Sequence, residues 1–148
     1  MKPIYEYNRE YDNKTKLIKC NNDACDAHFH SNIEIVYVVE GEINITINGQ
    51  NMTLTKGCVS IAGSYDIHSY KTLKSSKTIV LIIPTEIVGS FTKMMRVKLF
   101  AGSFMEQCGD SKEIYYAIRK LAKMDSAMDS AIGSKAGSKS SSTMDSSY

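Results

Sequence analysis

The histidines of this 148-residue chain are His28, His30 and His68, and their placement is its most informative chemical feature. His28-Phe29-His30 runs into the apolar stretch that begins at Ile33. In extended backbone, residues two apart project to the same side, so both imidazoles share one face of a strand. Glu34 has the same parity and joins that face unless a bulge intervenes. His68 belongs to a later segment. Two imidazoles, a carboxylate and a third imidazole from another strand can converge on one divalent ion. Neutral imidazole suits Zn, Fe, Ni or Cu, and the carboxylate adds a hard ligand that Mn and Fe(II) accept. His28, His30, Glu34 and His68 are therefore the candidate metal ligands. Taken singly, each has a plainer structural reading, with His68 capping a turn and His28 sitting at a rim.

Two further constellations involve thiols. Cys20 and Cys25 lie upstream of His28 and His30, and two sulfurs with two nitrogens form a permissible zinc set. Cys58 precedes His68 by ten residues, which allows a Cys–His pair on paper. Cys58, Ser60 and Ala62 alternate with Val59 and Ile61, however, and a small buried thiol fits that pattern as well. Four cysteines are too few for a disulfide scaffold and fit reduced thiols in a cytoplasmic protein. The chain has no Gly-rich phosphate loop, no Gly-x-Ser-x-Gly elbow and no His-Glu-x-x-His.

The elements that must position these groups read mostly as strands. Residues 33–39 are β-branched and aromatic, and the run stops at Glu40-Gly41. Residues 43–47 alternate apolar and polar, Asn48-Gly49 has the chemistry of a type I′ hairpin turn, and residues 50–55 form the return strand. Val59 and Ile61 sit in a short strand, and residues 79–83 in an apolar one ended by Pro84. Many short strands separated by turn signals imply an all-β sandwich or barrel. Two helices are expected after it. Thr85 caps the first, with Ile87, Val88, Phe91, Met94 and Met95 on one face. Asp110 or Ser111 caps the second, with Ile114, Ala117, Ile118 and Leu121 at helical spacing and Arg119, Lys120 and Lys123 in its last turns.

Composition narrows the function classes. The formal charge is +2, with 43% hydrophobic and 23% charged residues. So small a charge argues against a chain whose affinity rests on phosphate neutralisation, and no direct nucleic-acid binding is expected. No apolar run reaches the roughly 18 residues of a membrane span, and the N-terminus lacks a signal-peptide pattern. Residues 1–70 carry −3 and residues 71–148 carry +5, an excess that reads as a solvated face. From residue 124 onward there are nine serines in 25 residues, and Met-Asp-Ser occurs three times, a composition too poor in apolar side chains to offset its ordering entropy. The expected layout is an arm at 1–19, a barrel at 20–84, a helical segment at 85–123 and a Ser-rich tail at 124–148.

These residues carry a resemblance. His28-Phe29-His30-Ser31-Asn32-Ile33-Glu34, followed by six residues and Gly41, resembles the first cupin motif, His-x-His-x-x-x-Glu then six residues and Gly. The stretch from Gly57 to His68 resembles the second, in which Gly, five residues, Pro, one residue, Gly and two residues precede His. Gly63 stands where that motif has Pro and Tyr65 where it has Gly, so the turn carrying His68 is less pre-set by its residue types. The segment from His28 to Tyr70 looks like the effector-binding domain of AraC-type transcription regulators, and the layout through about residue 124 is similar. The DNA-reading helix-turn-helix domain of that family has no counterpart here. The resemblance implies a cupin jelly roll followed by two helices.

It also implies a metal-free pocket without a cofactor, in which His30, Glu34 and His68 bind a small polar effector such as a sugar above an apolar floor of Val36 and Val38. Tyr5 and Tyr7 on the N-terminal arm are the lid candidates. The helix at 111–123 is the expected homodimer contact. The rival reading is a metal-dependent cupin enzyme, an isomerase or an oxygenase, with Fe, Mn, Ni or Zn on His28, His30, Glu34 and His68.

Overall fold

The computed structural model describes residues 2–9, 14–89, 102–105, 112–121 and 123. Eight strands follow one another: β1 (Ile4–Tyr5), β2 (Lys16–Asn21), β3 (Ala24–Phe29), β4 (Ile33–Ile47), β5 (Gln50–Thr55), β6 (Val59–Ala62), β7 (His68–Ile83) and β8 (Phe104–Met105). The helix α1 spans 112–121. The architecture is mostly β, with one α-helix and a short 3-10 turn at Tyr7–Arg9 among the described residues.

The two long strands organise everything else. β4 and β7 pair antiparallel along their whole length, from Ile33 opposite Ile83 to Ile47 opposite His68. The register shifts between Val38 and Glu40 and again between Gly41 and Ile43, and such bulges bend a strand. The bend divides the sheet into halves. In one, β4 is flanked by β6 at Glu34–Tyr37 and by the last half of β7, with β2 on β7's other edge and β8 on β6. In the other, β5 pairs Glu42–Ile47, β3 pairs the start of β7, and β1 runs parallel to β3. Gly41 sits at the bend with φ +77°, and a Cβ there would fall 2.1 Å from the Ser75 carbonyl oxygen. No side chain fits between those backbones.

The bulges also reset the alternation. Before the bend, Val36 and Val38 face the interior, and after it Ile43, Ile45 and Ile47 do. Together with Leu54, Cys58, Ala62, Tyr70, Val80 and Ile82 these form one buried cluster drawn from both halves, so the halves face each other as a jelly roll requires. The opposite parity of the first half, Tyr37, Val59, Ile79 and Leu81, packs outward under Ile118, Ile114 and Tyr115 of α1. On the second half the outer face is polar, and Asn44, Thr46, Asn51 and Thr53 hydrogen-bond across it at 2.6–3.2 Å.

Several expectations need correction. The two strands read at 33–39 and 43–47 are one, because register shifts on either side of Gly41 carry the chain round the bend without ending the ladder. β7 begins at His68 rather than residue 79; its first half, rich in Lys, Ser and Thr, lacks the apolar signal of a strand. Most of β2 lies in the stretch read as an arm at 1–19, and neither β2 nor β3 was read as a strand, for the same reason. Two helices were expected and one is seen: residues 85–88 form a turn, and the continuation from residue 90 lies outside the described residues, as does the Ser-rich segment from 124 onward. Asn48-Gly49 makes the turn its chemistry implies, with φ of +48° and +81°. No helix among the described residues is long and apolar enough to cross a membrane.

Candidate metal centre

Three strands and two connections deliver the chemical groups to one place. His28 near the end of β3 stands directly opposite His68 at the start of β7, and their rings are 4.2 Å apart between centroids. His30 follows in the link to β4, its ring 5.0 Å from that of His68 and 5.9 Å from that of His28. Glu34 comes from the centre of the other half-sheet, between Ala62 and Ile82. All four side chains are buried, none of the residues more than 2% exposed.

Each imidazole is oriented by the same device. Nδ1 of His28 donates to the Asp26 carbonyl at 2.8 Å, that of His30 to the Asn32 carbonyl at 3.1 Å, and that of His68 to the Asp66 carbonyl at 2.8 Å. A carbonyl only accepts, so Nδ1 carries a proton in each ring, and in His28 and His68 this leaves the Nε2 lone pair facing inward when the ring is neutral. His30 Nε2 hydrogen-bonds the Glu34 carboxylate. His30 Nε2 is 3.2 Å from Glu34 Oε2, and His68 Nε2 is 3.7 Å from Glu34 Oε1. Nε2 of His28 and of His68 are buried with no hydrogen-bond partner. Burial, with the charge of a protonated His68 nearby, holds the His28 pKa below its ordinary value, against the hydrogen bond to Asp26 and the carboxylates of Glu6 and Glu34. His28 is thus a neutral donor at physiological pH.

A divalent ion fits this set. One potential ligand atom from each of His28, His30, Glu34 and His68 lies within 4.8 Å of all the others. Two ligands on opposite sides of one ion at about 2.0–2.2 Å are about 4.4 Å apart and neighbouring ones closer, so the four side chains must close inward to hold it. The buried Nε2 atoms of His28 and His68 converge with the Glu34 carboxylate in an environment that a cation relieves.

The turn carrying His68 shows how the chain manages without the usual Pro and Gly. Tyr65 adopts φ +64°, in the left-handed region where the motif has glycine. Its amide bonds the His30 carbonyl at 2.8 Å, tying the turn to the neighbouring ligand. Asp66 accepts from the Gly63 amide at 2.7 Å and from the Asn48 side chain at 2.7 Å, while Asn48 Oδ1 accepts from the Ile67 amide at 2.9 Å. Side-chain hydrogen bonds replace the conformational restriction that Pro and Gly would supply.

The other sequence candidates fall in different places. Val36 and Val38 lie in the interior cluster below the centre. Cys58 is buried there too, 3.8 Å from Thr55 Oγ1. Cys25 Sγ approaches His28 Nδ1 at 3.3 Å, but Cys20 joins no group of potential ligands among the described residues, so the Cys20–Cys25–His28–His30 zinc set is not assembled. Burial, reinforced by Asp23, pushes the Cys20 thiol up to about 11. Tyr5 and Tyr7 are 40% and 56% exposed, with Tyr5 against the ring of Phe29 at 5.3 Å. Two residues near the histidines escaped the sequence reading. Tyr70 has its ring 5.8 Å from that of His68 and 6.1 Å from that of His28, and its buried hydroxyl has no hydrogen-bond partner. It shares the parity of His68, which was the available signal. Glu6 brings Oε2 to 3.8 Å from His28 Nε2; its signal was alternation with Tyr5 and Tyr7.

Residues 21–84 match the family model of the cupin domain. All four centre residues lie within that segment. No curated protein matches the chain. Among solved structures, the chain is similar to an RmlC-like cupin from Shewanella frigidimarina, at 22% identity over 50% of this chain and 69% of that one, with TM-score 0.46. A cupin superfamily protein from Desulfitobacterium hafniense is similar at 13% identity over 49% and 70%, with TM-score 0.46. A predicted oxalate decarboxylase from Thermotoga maritima is similar at 23% identity over 47% and 64%, with TM-score 0.42.

Proposed function

We propose that this cupin domain holds one divalent transition-metal ion on His28, His30, Glu34 and His68 and works on a small oxygen-rich molecule beside it. The observation that carries the reading is the shared orientation of the three imidazoles, each with Nδ1–H spent on a backbone carbonyl and Nε2 turned inward, those of His30 and His68 onto the buried Glu34 carboxylate. Fixing the outer nitrogen by a second partner is how histidine ligands are usually held. Three imidazoles with one carboxylate suit Mn, Fe, Co, Ni or Zn. When bound, the ion supplies a Lewis-acidic position for an oxygen of the substrate. The chain's own contributions are the rigid cradle of β3, β4 and β7, the exclusion of bulk water by Val36, Val38 and Tyr70, and a phenol available to hydrogen-bond a ligand.

Protein purified untagged and without chelator is expected to contain about one equivalent of metal, and His30→Ala and Glu34→Ala to lose it, weakening affinity by at least about tenfold. A wild-type protein that neither carries nor takes up a transition metal overturns the reading.

The AraC-type resemblance supports a second reading, a metal-free effector pocket on His30, Glu34 and His68. The unpartnered Tyr70 hydroxyl and the free Nε2 atoms favour a polyhydroxylated ligand such as a sugar, whose hydroxyls donate and accept. Stabilisation of chelator-treated protein by sugars, with no effect of metals, would select it.

A further inference from the structure

The N-terminal arm lies outside the segment that matches the cupin model, yet it reaches the centre. β1 pairs parallel with β3, placing Ile4 beside His28 and Tyr5 beside Phe29, and the Glu6 amide continues the ladder by donating to the Phe29 carbonyl at 3.0 Å. Paired residues of a parallel ladder project to the same side, and alternation then sends Ile4 and Glu6 to the side of His28 and Tyr5 to the side of Phe29. The ring contact of Tyr5 with Phe29 agrees with that assignment. The arm thus presents a carboxylate, rather than the two tyrosines, to the histidines. Glu6 Oε2 is 3.8 Å from His28 Nε2, on a side chain that is 28% exposed against an imidazole that is 3% exposed.

An acceptor nitrogen opposite an anionic oxygen is unfavourable unless something positive lies between or beside them. The His28 Nδ1 proton is committed to Asp26, and Nε2 is buried with no hydrogen-bond partner. Glu6, Cys25 and His28 form a second group whose potential ligand atoms lie within 4.8 Å of one another, overlapping the first at His28. From this geometry we infer that Glu6 is a fifth protein group of the metal centre, adding a second carboxylate on its His28 side, so that ion affinity depends on the docked arm. The inference rests on the metal reading proposed above. With three neutral imidazoles and one carboxylate the protein contributes one negative charge to a doubly charged ion; Glu6 brings the total to two. A second hard oxygen favours Mn(II) most among the candidate ions.

The test is calorimetric titration of metal-stripped full-length protein with Mn(II) and Zn(II) alone. It compares wild type, Glu6→Gln, Glu6→Asp and, as a charge-matched control, Glu40→Gln, whose carboxylate is exposed and paired with Lys77. Glu6→Gln is expected to weaken Mn(II) binding about tenfold or more at unchanged stoichiometry, with a smaller loss for Zn(II). Glu6→Asp should lie between it and wild type, and Glu40→Gln within about twofold of wild type, as expected for a screened distant charge. The visible spectrum of the Co(II)-loaded protein should differ between wild type and Glu6→Gln. Wild-type binding with Glu6→Gln and Glu6→Asp unchanged in affinity and Co(II) spectrum overturns this inference alone. A wild type that binds neither ion overturns the metal reading and this inference with it.

Discussion

At the residue scale the centre is an arrangement of lone pairs. Glu34 is a carboxylate with no exposed side-chain surface, hydrogen-bonded to His30 Nε2 and facing Nε2 of His68. Such a group costs stability in the absence of a cation. Glu34→Gln is therefore expected to stabilise metal-free protein by about 1 kcal/mol or more, while abolishing stabilisation by added metal; urea unfolding with and without Mn(II) reads both signs. Tyr65 makes a smaller test. It is 59% exposed with φ +64°, so Tyr65→Gly relieves left-handed strain while losing little burial. A gain of about 0.5–1 kcal/mol is expected from denaturant midpoints, with metal affinity unchanged. The set His28, His30, Glu34 and His68 was legible in the sequence from its spacing and the paired-motif resemblance, but not as one strand face: β3 ends at Phe29, His30 lies in the link and Glu34 stands on β4 in the other half-sheet. Glu6 was not, because β1 spans only two residues and its docking on β3 is not encoded locally. Tyr70 was overlooked although it shares the parity of His68, because its neighbours Ser69 and Lys71 mask the strand.

At the scale of elements, the decisive features are the bend in β4 and the cover on the outer face of the first half-sheet. Gly41 was legible as a turn, and its role differs: it lets one strand serve both half-sheets where β4 meets the Ser75–Ser76 backbone. Gly41→Ala places Cβ against the Ser75 carbonyl in a conformation L-residues rarely adopt. A destabilisation on the order of 3 kcal/mol or more is expected, seen as a fall in the unfolding midpoint or loss of the soluble folded protein. The apolar stripe read on the second helix is partly spent within the molecule. Ile118 is 1% exposed against Tyr37, Val59, Ile79 and Leu81, whereas Leu121 and Tyr116 are 41% and 69% exposed. Ile118→Ala should cost about 2–4 kcal/mol by denaturant unfolding and leave metal stoichiometry at one, because α1 packs on the face opposite the centre. Strand alternation separated the inner from the outer face correctly over Glu34, Val36 and Val38. Past residue 40 it still grouped Ile43, Ile45 and Ile47 on one face, but a sequence offers no count of bulges, so it did not show that the extra residue at Val39 puts that face on the same side as Val36 and Val38.

For the whole molecule, the account makes binding and folding one equilibrium. The four ligands come from both half-sheets, so an ion on them ties the jelly roll across its interior, and unfolding separates them. Mn(II) or Zn(II) at a hundred times its dissociation constant should raise stability by about 2.7 kcal/mol, read as a rise in melting temperature that chelator reverses. The effect should vanish in His30→Ala and survive in Ile118→Ala. The jelly-roll class was legible from turn chemistry and the paired motifs, while the length of β7 and the docking of the arm were not, since both depend on partners distant along the chain rather than on local composition. The most direct test is a crystal structure of metal-loaded protein with an anomalous difference map recorded at the absorption edge of the ion. The account predicts one principal peak, with Nε2 of His28, His30 and His68 and a Glu34 oxygen at about 2.0–2.2 Å from it. A map with no peak there, or an ion bound elsewhere while the four side chains keep their mutual contacts, would contradict it.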